Sequence, residues 1–166
     1  MRHNLHNLAF ALFLSILILG TACQGGEESS GTVLKIGTPN VVKSASILGD
    51  TNMGVWTHLS NPTLMKMTED GKIAGLTAKS SEVSDDGKVW KFVIDDDLYW
   101  SDGQKLTPDD VQFTFSYLRD NLPSAGWMKS TIENISVDGN AVVFRLSKPY
   151  SRLNLELATY PIQAKQ

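Results

Sequence analysis

Two Asp-Gly steps, Asp86-Gly87 and Asp138-Gly139, constrain this chain more than any other feature. Each sits between two extended runs. Glu82-Val83-Ser84 precedes the first and VWKFVI, Val89 to Ile94, follows it; Glu133 to Val137 precedes the second and AVVFRL, Ala141 to Leu146, follows it. Glycine accepts the positive φ of a tight hairpin turn without a Cβ clash. The pattern predicts two β-hairpins. In VWKFVI, Trp90, Phe92 and Ile94 share one face, and this aromatic face is the one expected to be buried.

The segment between the hairpins predicts a helix. Ser101-Asp102-Gly103 turns the chain after Trp100. Thr107 is a good N-cap, Pro108 suits the first helical position, and Asp109 and Asp110 favour the positive end of the helix dipole. Asp110 lies three residues after the cap, as in a shortened capping box. Val111, Phe115, Leu118 and Leu122 recur on one helix face, and Pro123 ends it. These acids are read as helix-start residues, not as a general acid or base.

Elsewhere the signals are shorter. Val33 to Thr38 and Thr63 to Met67 read as strands, and Gly49 to Leu59 as a helix stopped by Asn61-Pro62. Glu69 to Lys72 and Asp95 to Asp97 read as turns, Leu76 to Ser80 as a single helical turn, and Leu153 to Ala158 as a short helix. The expected class is mixed, α+β.

The N-terminus speaks of location. The apolar run LAFALFLSILIL, Leu8 to Leu19, suits a signal-peptide core and is short for a membrane span. It leads into Gly20-Thr21-Ala22-Cys23 and the polar tract QGGEESSG. A small residue before a lone cysteine resembles a lipoprotein signal, with Gly20 standing where an aliphatic residue is usual. The expectation is a signal peptide over 1–22, a lipid on Cys23, a flexible tether over 23–31 and a folded part over 32–166.

Composition excludes several function classes. Lys and Arg number 15 against 18 Asp and Glu, a net charge of −3, which offers no basic face for nucleic acid. One cysteine forms no internal disulfide. Cleavage before Cys23 would leave His58 as the last histidine, so no metal site built from protein side chains and no cofactor is expected. GxGxxG, GxxxxGK[ST], GxSxG and HExxH are absent, and no enzyme is expected.

The order of pieces says more. NPTLMKM, DGKI, GLTAKS and DDGKVWKFVIDDDLYWSDGQKLTPDDVQFTFSYL succeed one another in a way that resembles the family 5 extracellular solute-binding proteins, the peptide and nickel binders of ABC importers. The matching positions are Leu76, Ala78, Ser80, Ser84, Asp86, Gly87, Trp90, Phe92, Asp102, Gly103, Asp110, Val111 and Phe113, then Lys148-Pro149 and Leu157 to Ile162. The resemblance implies an incomplete, N-terminal portion of a periplasmic-binding-protein type II fold, in which the Asp-Gly turns and the helix build scaffold. It implies capture of a peptide, nickel chelate or other small solute, an ABC permease as partner, and a lipid anchor outside the cytoplasm. By position it points to Trp127 as a ligand contact, with Asn52 and Met53 as further candidates. Ser124 and Tyr160-Pro161 stand where nickel-type relatives place arginines. The alternatives are a non-binding remnant and a small lipoprotein that only holds a partner.

Overall fold

A computed structural model describes Lys35 and residues 55–165. The chain divides into two units, and 55–165 belong to the second, Val41–Gln166; Lys35, in the first, is exposed. Apart from Lys35, the expected strand over Val33 to Thr38 lies outside the described residues, as do Cys23, Asn52, Met53 and the first half of the expected helix over Gly49 to Leu59.

The elements run α1 Val55–Ser60, β1 Met65–Met67, β2 Ile73–Gly75, β3 Ala78–Val83, β4 Val89–Ile94, α2 Pro108–Asn121, a 3-10 turn Pro123–Ala125, α3 Gly126–Thr131, β5 Ile132–Asp138, β6 Ala141–Leu146 and α4 Leu153–Leu157. β1 and β2 form a small antiparallel ladder. The other four strands form an antiparallel sheet in the order β3-β4-β6-β5. Both expected hairpins are present, and Gly87 and Gly139 hold φ of 68° and 59° at their turns.

Pairing β4 with β6 joins the two hairpins into one sheet, with Trp90 opposite Phe144 and Phe92 opposite Val142. Trp90, Phe92 and Ile94 are buried, as their alternation requires. α2 packs on this face, against β5 and β6. Phe144 is the hinge of the packing: its ring meets Phe92 edge-on at 5.7 Å and Phe115 of α2 at 5.5 Å. Rings in this geometry gain about 0.5–1.5 kcal/mol beyond their area burial. Val111, Phe115 and Leu118 are fully buried, so the helix presents the face its spacing predicts.

One local expectation fails. Leu76 to Ser80 is not a helical turn; β3 begins at Ala78 and pairs with β4 as far as Val83 opposite Trp90. The backbone N–H groups of Leu76 and Ala78 both donate to the carbonyl of Leu64, which pulls the segment straight. A stretch reading AKSSEV has little strand propensity of its own, and cross-strand pairing overrides it. Conversely, α3 has no cap or periodic signal in the sequence and forms where the chain crosses from α2 to β5.

The two ends of the described region meet. Ile162 N donates to Pro62 O at 2.7 Å, Asn61 Nδ2 donates to Ile162 O at 2.9 Å, and Thr63 bridges Pro161. The chain thus arrives and leaves side by side, with a continuous buried cluster between.

Candidate functional site

Asp110 explains the joint between Trp100 and α2. It is buried, and its carboxylate accepts from four donors. Thr107 N and Thr107 Oγ1 reach Oδ2 at 2.8 and 3.1 Å, and Trp100 Nε1 reaches it at 3.4 Å. Lys165 N reaches Oδ1 at 2.7 Å. Burying a carboxylate is costly unless its lone pairs are filled, and here they are. The capping box read from the sequence is therefore real, and the same acid also pins the chain at Lys165. One turn along, Thr114 Oγ1 donates to Asp110 O at 2.8 Å and accepts from Gln163 N at 2.9 Å. Periodicity gave Thr114 no role; its partner lies 49 residues away. This is scaffold.

Trp127 sits on α3, half-buried. Its indole stacks on Tyr150 with centroids 5.5 Å apart and planes 27° from parallel. Its Nε1–H donates to the hydroxyl of Tyr160 at 3.2 Å. Tyr150 OH in turn donates to Glu156 Oε1 at 3.2 Å. Burial, and then the adjoining Glu156 carboxylate, push the Tyr150 phenol above its ordinary pKa. The result is a cluster of three aromatic rings with one carboxylate behind it. Such a surface offers the partly exposed rings of Trp127 and Tyr150 to apolar or aromatic groups, while Tyr160 is buried and Glu156 is paired with Arg152 at 3.8 Å. Sequence reading singled out Trp127 alone. Tyr150 and Tyr160 lie in separate segments, each beside a proline, and nothing in their spacing announces that they converge on it. Asn52 and Met53 lie outside the described residues, so their distance from this cluster is not defined.

Comparison with known proteins gives this geometry a context. Residues 72–166 match the family described as bacterial extracellular solute-binding proteins, family 5 Middle. The chain is 33% identical over 98 residues to the nickel-binding periplasmic protein of Escherichia coli K12, a match covering 59% of this chain and 18% of that one. NikZ from Campylobacter jejuni, solved in complex with Ni(L-His), shares the fold with a TM-score of 0.67 at 23% identity, over 75% of this chain and 26% of that one. The oligopeptide-binding protein AppA of Bacillus subtilis, solved with a nonapeptide, aligns with a TM-score of 0.58 at 25% identity, over 63% of this chain and 21% of that one. The chain thus spans about a fifth of the length of such relatives. Its mixed α+β architecture is an incomplete portion of the periplasmic-binding-protein type II fold. With more than half of its residues matched, the chain belongs to the bacterial extracellular solute-binding proteins, family 5.

Proposed function

We propose that this chain serves solute capture for an ABC importer, as a lipoprotein held outside the cytoplasm. In this reading residues 1–22 are the signal peptide, Cys23 carries lipid, 23–31 form the tether, and 32–166 are the part that works with solute and permease. The observation that supports it is family membership across 72–166. Trp127, with Asn52 and Met53, is the ligand contact in this reading. Between the two solute classes named for its relatives, the cluster favours peptide. The partly exposed rings of Trp127 and Tyr150 suit apolar side chains.

A second reading, a small lipoprotein that holds a partner without binding solute, has one observation in its favour. The Trp127 N–H is spent on Tyr160 and a ring face on Tyr150. Calorimetry separates the two. With about a fifth of a relative's length, the chain would enclose only part of a ligand, so affinity no better than about 1 mM, about −4 kcal/mol, is expected for an oligopeptide or a nickel–histidine chelate. Heat lost in Trp127→Ala supports solute capture; no Trp127-dependent heat with either ligand favours the partner-holding reading. Anchoring is tested apart. Cys23→Ser should move the protein from the membrane to the soluble fraction, and a wild-type N-terminal peptide of unlipidated mass would sink the anchor.

A further inference from the structure

We propose that Tyr160 is the positioning residue of the solute site: its buried hydroxyl fixes the Trp127 indole beside Tyr150, so that the two rings form an apolar shelf for an aromatic side chain of a peptide. This rests on the reading of Trp127 as a ligand contact.

Three observations carry it. The first is where Tyr160 stands. It is 6% exposed, so its ring is not offered to a solute, yet its hydroxyl accepts from Trp127 Nε1 at 3.2 Å across 33 residues. The second is how firmly each partner is held. Tyr160 directly precedes the segment where the ends of the described region meet: Pro161 bridges Thr63, and Ile162 N donates to Pro62 O at 2.7 Å. Trp127 lies on α3, a helix of 6 residues with no side-chain cap. The torsion that swings an indole about its Cβ–Cγ bond is broad, so the backbone of α3 leaves the ring angle open. The hydrogen bond to Tyr160 closes it. The third is the use of the polar atoms. Trp127 gives its N–H to Tyr160, and Tyr150 gives its O–H to Glu156 at 3.2 Å. With both donors engaged, the two half-buried rings, 5.5 Å apart, present mainly carbon.

Chemistry then names the solute group. A shelf of ring carbon suits a side chain with no hydrogen-bonding demand, and an aromatic one adds the offset or edge-on contact that ring pairs favour. A polar side chain such as asparagine would lose water there and find no free donor in Trp127 or Tyr150. An indole fixed in advance also spares the solute the entropy of ordering it. Without the Tyr160 hydroxyl both properties reverse. The ring must be ordered at the moment of binding, and its N–H is free to meet a polar group.

The test uses the full chain labelled with ¹⁵N, with acetyl-Ala-Phe-Ala-amide and acetyl-Ala-Asn-Ala-amide as probes. The chain has 4 tryptophans, and the indole resonance lost in Trp127→Phe identifies Trp127. In the wild type the Phe peptide should move that resonance saturably up to about 10 mM and bind more tightly than the Asn peptide. Tyr160→Phe keeps the buried ring and removes only the acceptor. Its Trp127 indole proton should move upfield and exchange faster with water. Its affinity for the Phe peptide should fall about three- to tenfold, the scale of ordering one free side chain. Affinity for the Asn peptide should hold, so the ratio of the two falls as well. A merely structural loss would weaken both peptides alike, and that result overturns the proposal. A Tyr160→Phe chain that binds the Phe peptide as the wild type does overturns it too, and leaves Trp127 as a ligand contact with no positioner in Tyr160. A wild type in which neither peptide moves the Trp127 resonance overturns the reading of Trp127 itself, and the proposal with it.

Discussion

At the scale of single residues, Asp110 carries the most structure per atom. Removing its carboxylate in Asp110→Ala would strand the N–H groups of Thr107, Lys165 and Trp100. The expected loss is about 2–4 kcal/mol, because buried donors would lack acceptors. Asp110→Asn keeps an acceptor oxygen and should lose less. Urea unfolding followed by far-UV circular dichroism gives both values, and equal losses in the two variants would show that charge, not acceptor geometry, matters. Gly75 is a second such point. A Cβ there would collide with the carbonyl oxygen of Ala78. Gly75→Ala should therefore shift the turn into β3 and cost about 1–3 kcal/mol, the usual scale of overpacking against rigid backbone; the same unfolding measurement checks it.

At the scale of elements, the turns deserve comparison with each other. Gly139 has open space around its missing Cβ, whereas a Cβ at Gly87 would sit 3.2 Å from Pro149 Cβ. Both φ values are positive, so alanine strains either turn by about 1 kcal/mol. Gly87→Ala should cost more than Gly139→Ala by the extra contact, and the reverse order would remove Pro149 from the account. The turns also set an acid limit. Lys91 holds Asp138 below the usual carboxylate range through a 2.8 Å hydrogen bond, and Lys91 is raised in return. The Ser84 hydroxyl and then the Lys88 N–H lower Asp86, and Lys72 and then Thr68 lower Asp70. Each folded pKa lies below its unfolded value, so these contributions are present above about pH 4 and vanish as pH falls through the folded values. The urea midpoint should fall between pH 5 and about pH 2, with Asp138→Asn losing part of that dependence. Tyr150 works on the opposite flank. Its raised pKa favours the neutral phenol, so its share persists below about pH 10 and is lost as pH climbs through the folded value.

At the scale of the whole molecule, the meeting of the segments around Pro62 and Ile162 is decisive. A region whose ends are paired and whose core is continuous meets the physical requirement for independent folding. Residues 55–165 expressed alone should unfold in one cooperative step, with near- and far-UV circular dichroism changing together. Separate transitions would show that the core depends on chain outside this region. Asn61→Ala, which breaks the side-chain bond to Ile162 O, should lower stability by about 1 kcal/mol without losing cooperativity.

Hairpins and the main helix were legible because their causes are local. The Asp-Gly turns, the alternation of VWKFVI and the Thr-Pro-Asp-Asp start each act within a few residues, so sequence by itself determined β4, β5, β6 and α2 and, for β4 and α2, which face is buried. The order of those pieces also carried the family. Only the tertiary structure decided that Leu76 to Ser80 leads into a strand, since its ladder partner is β4 and its backbone anchor is Leu64. Only it gathered Tyr150 and Tyr160 onto Trp127, left the Trp90 N–H without an acceptor and tied Asp110 to Lys165 across 55 residues. Those outcomes depend on distances between segments far apart in the chain, which no local propensity encodes and which packing of the common core fixes.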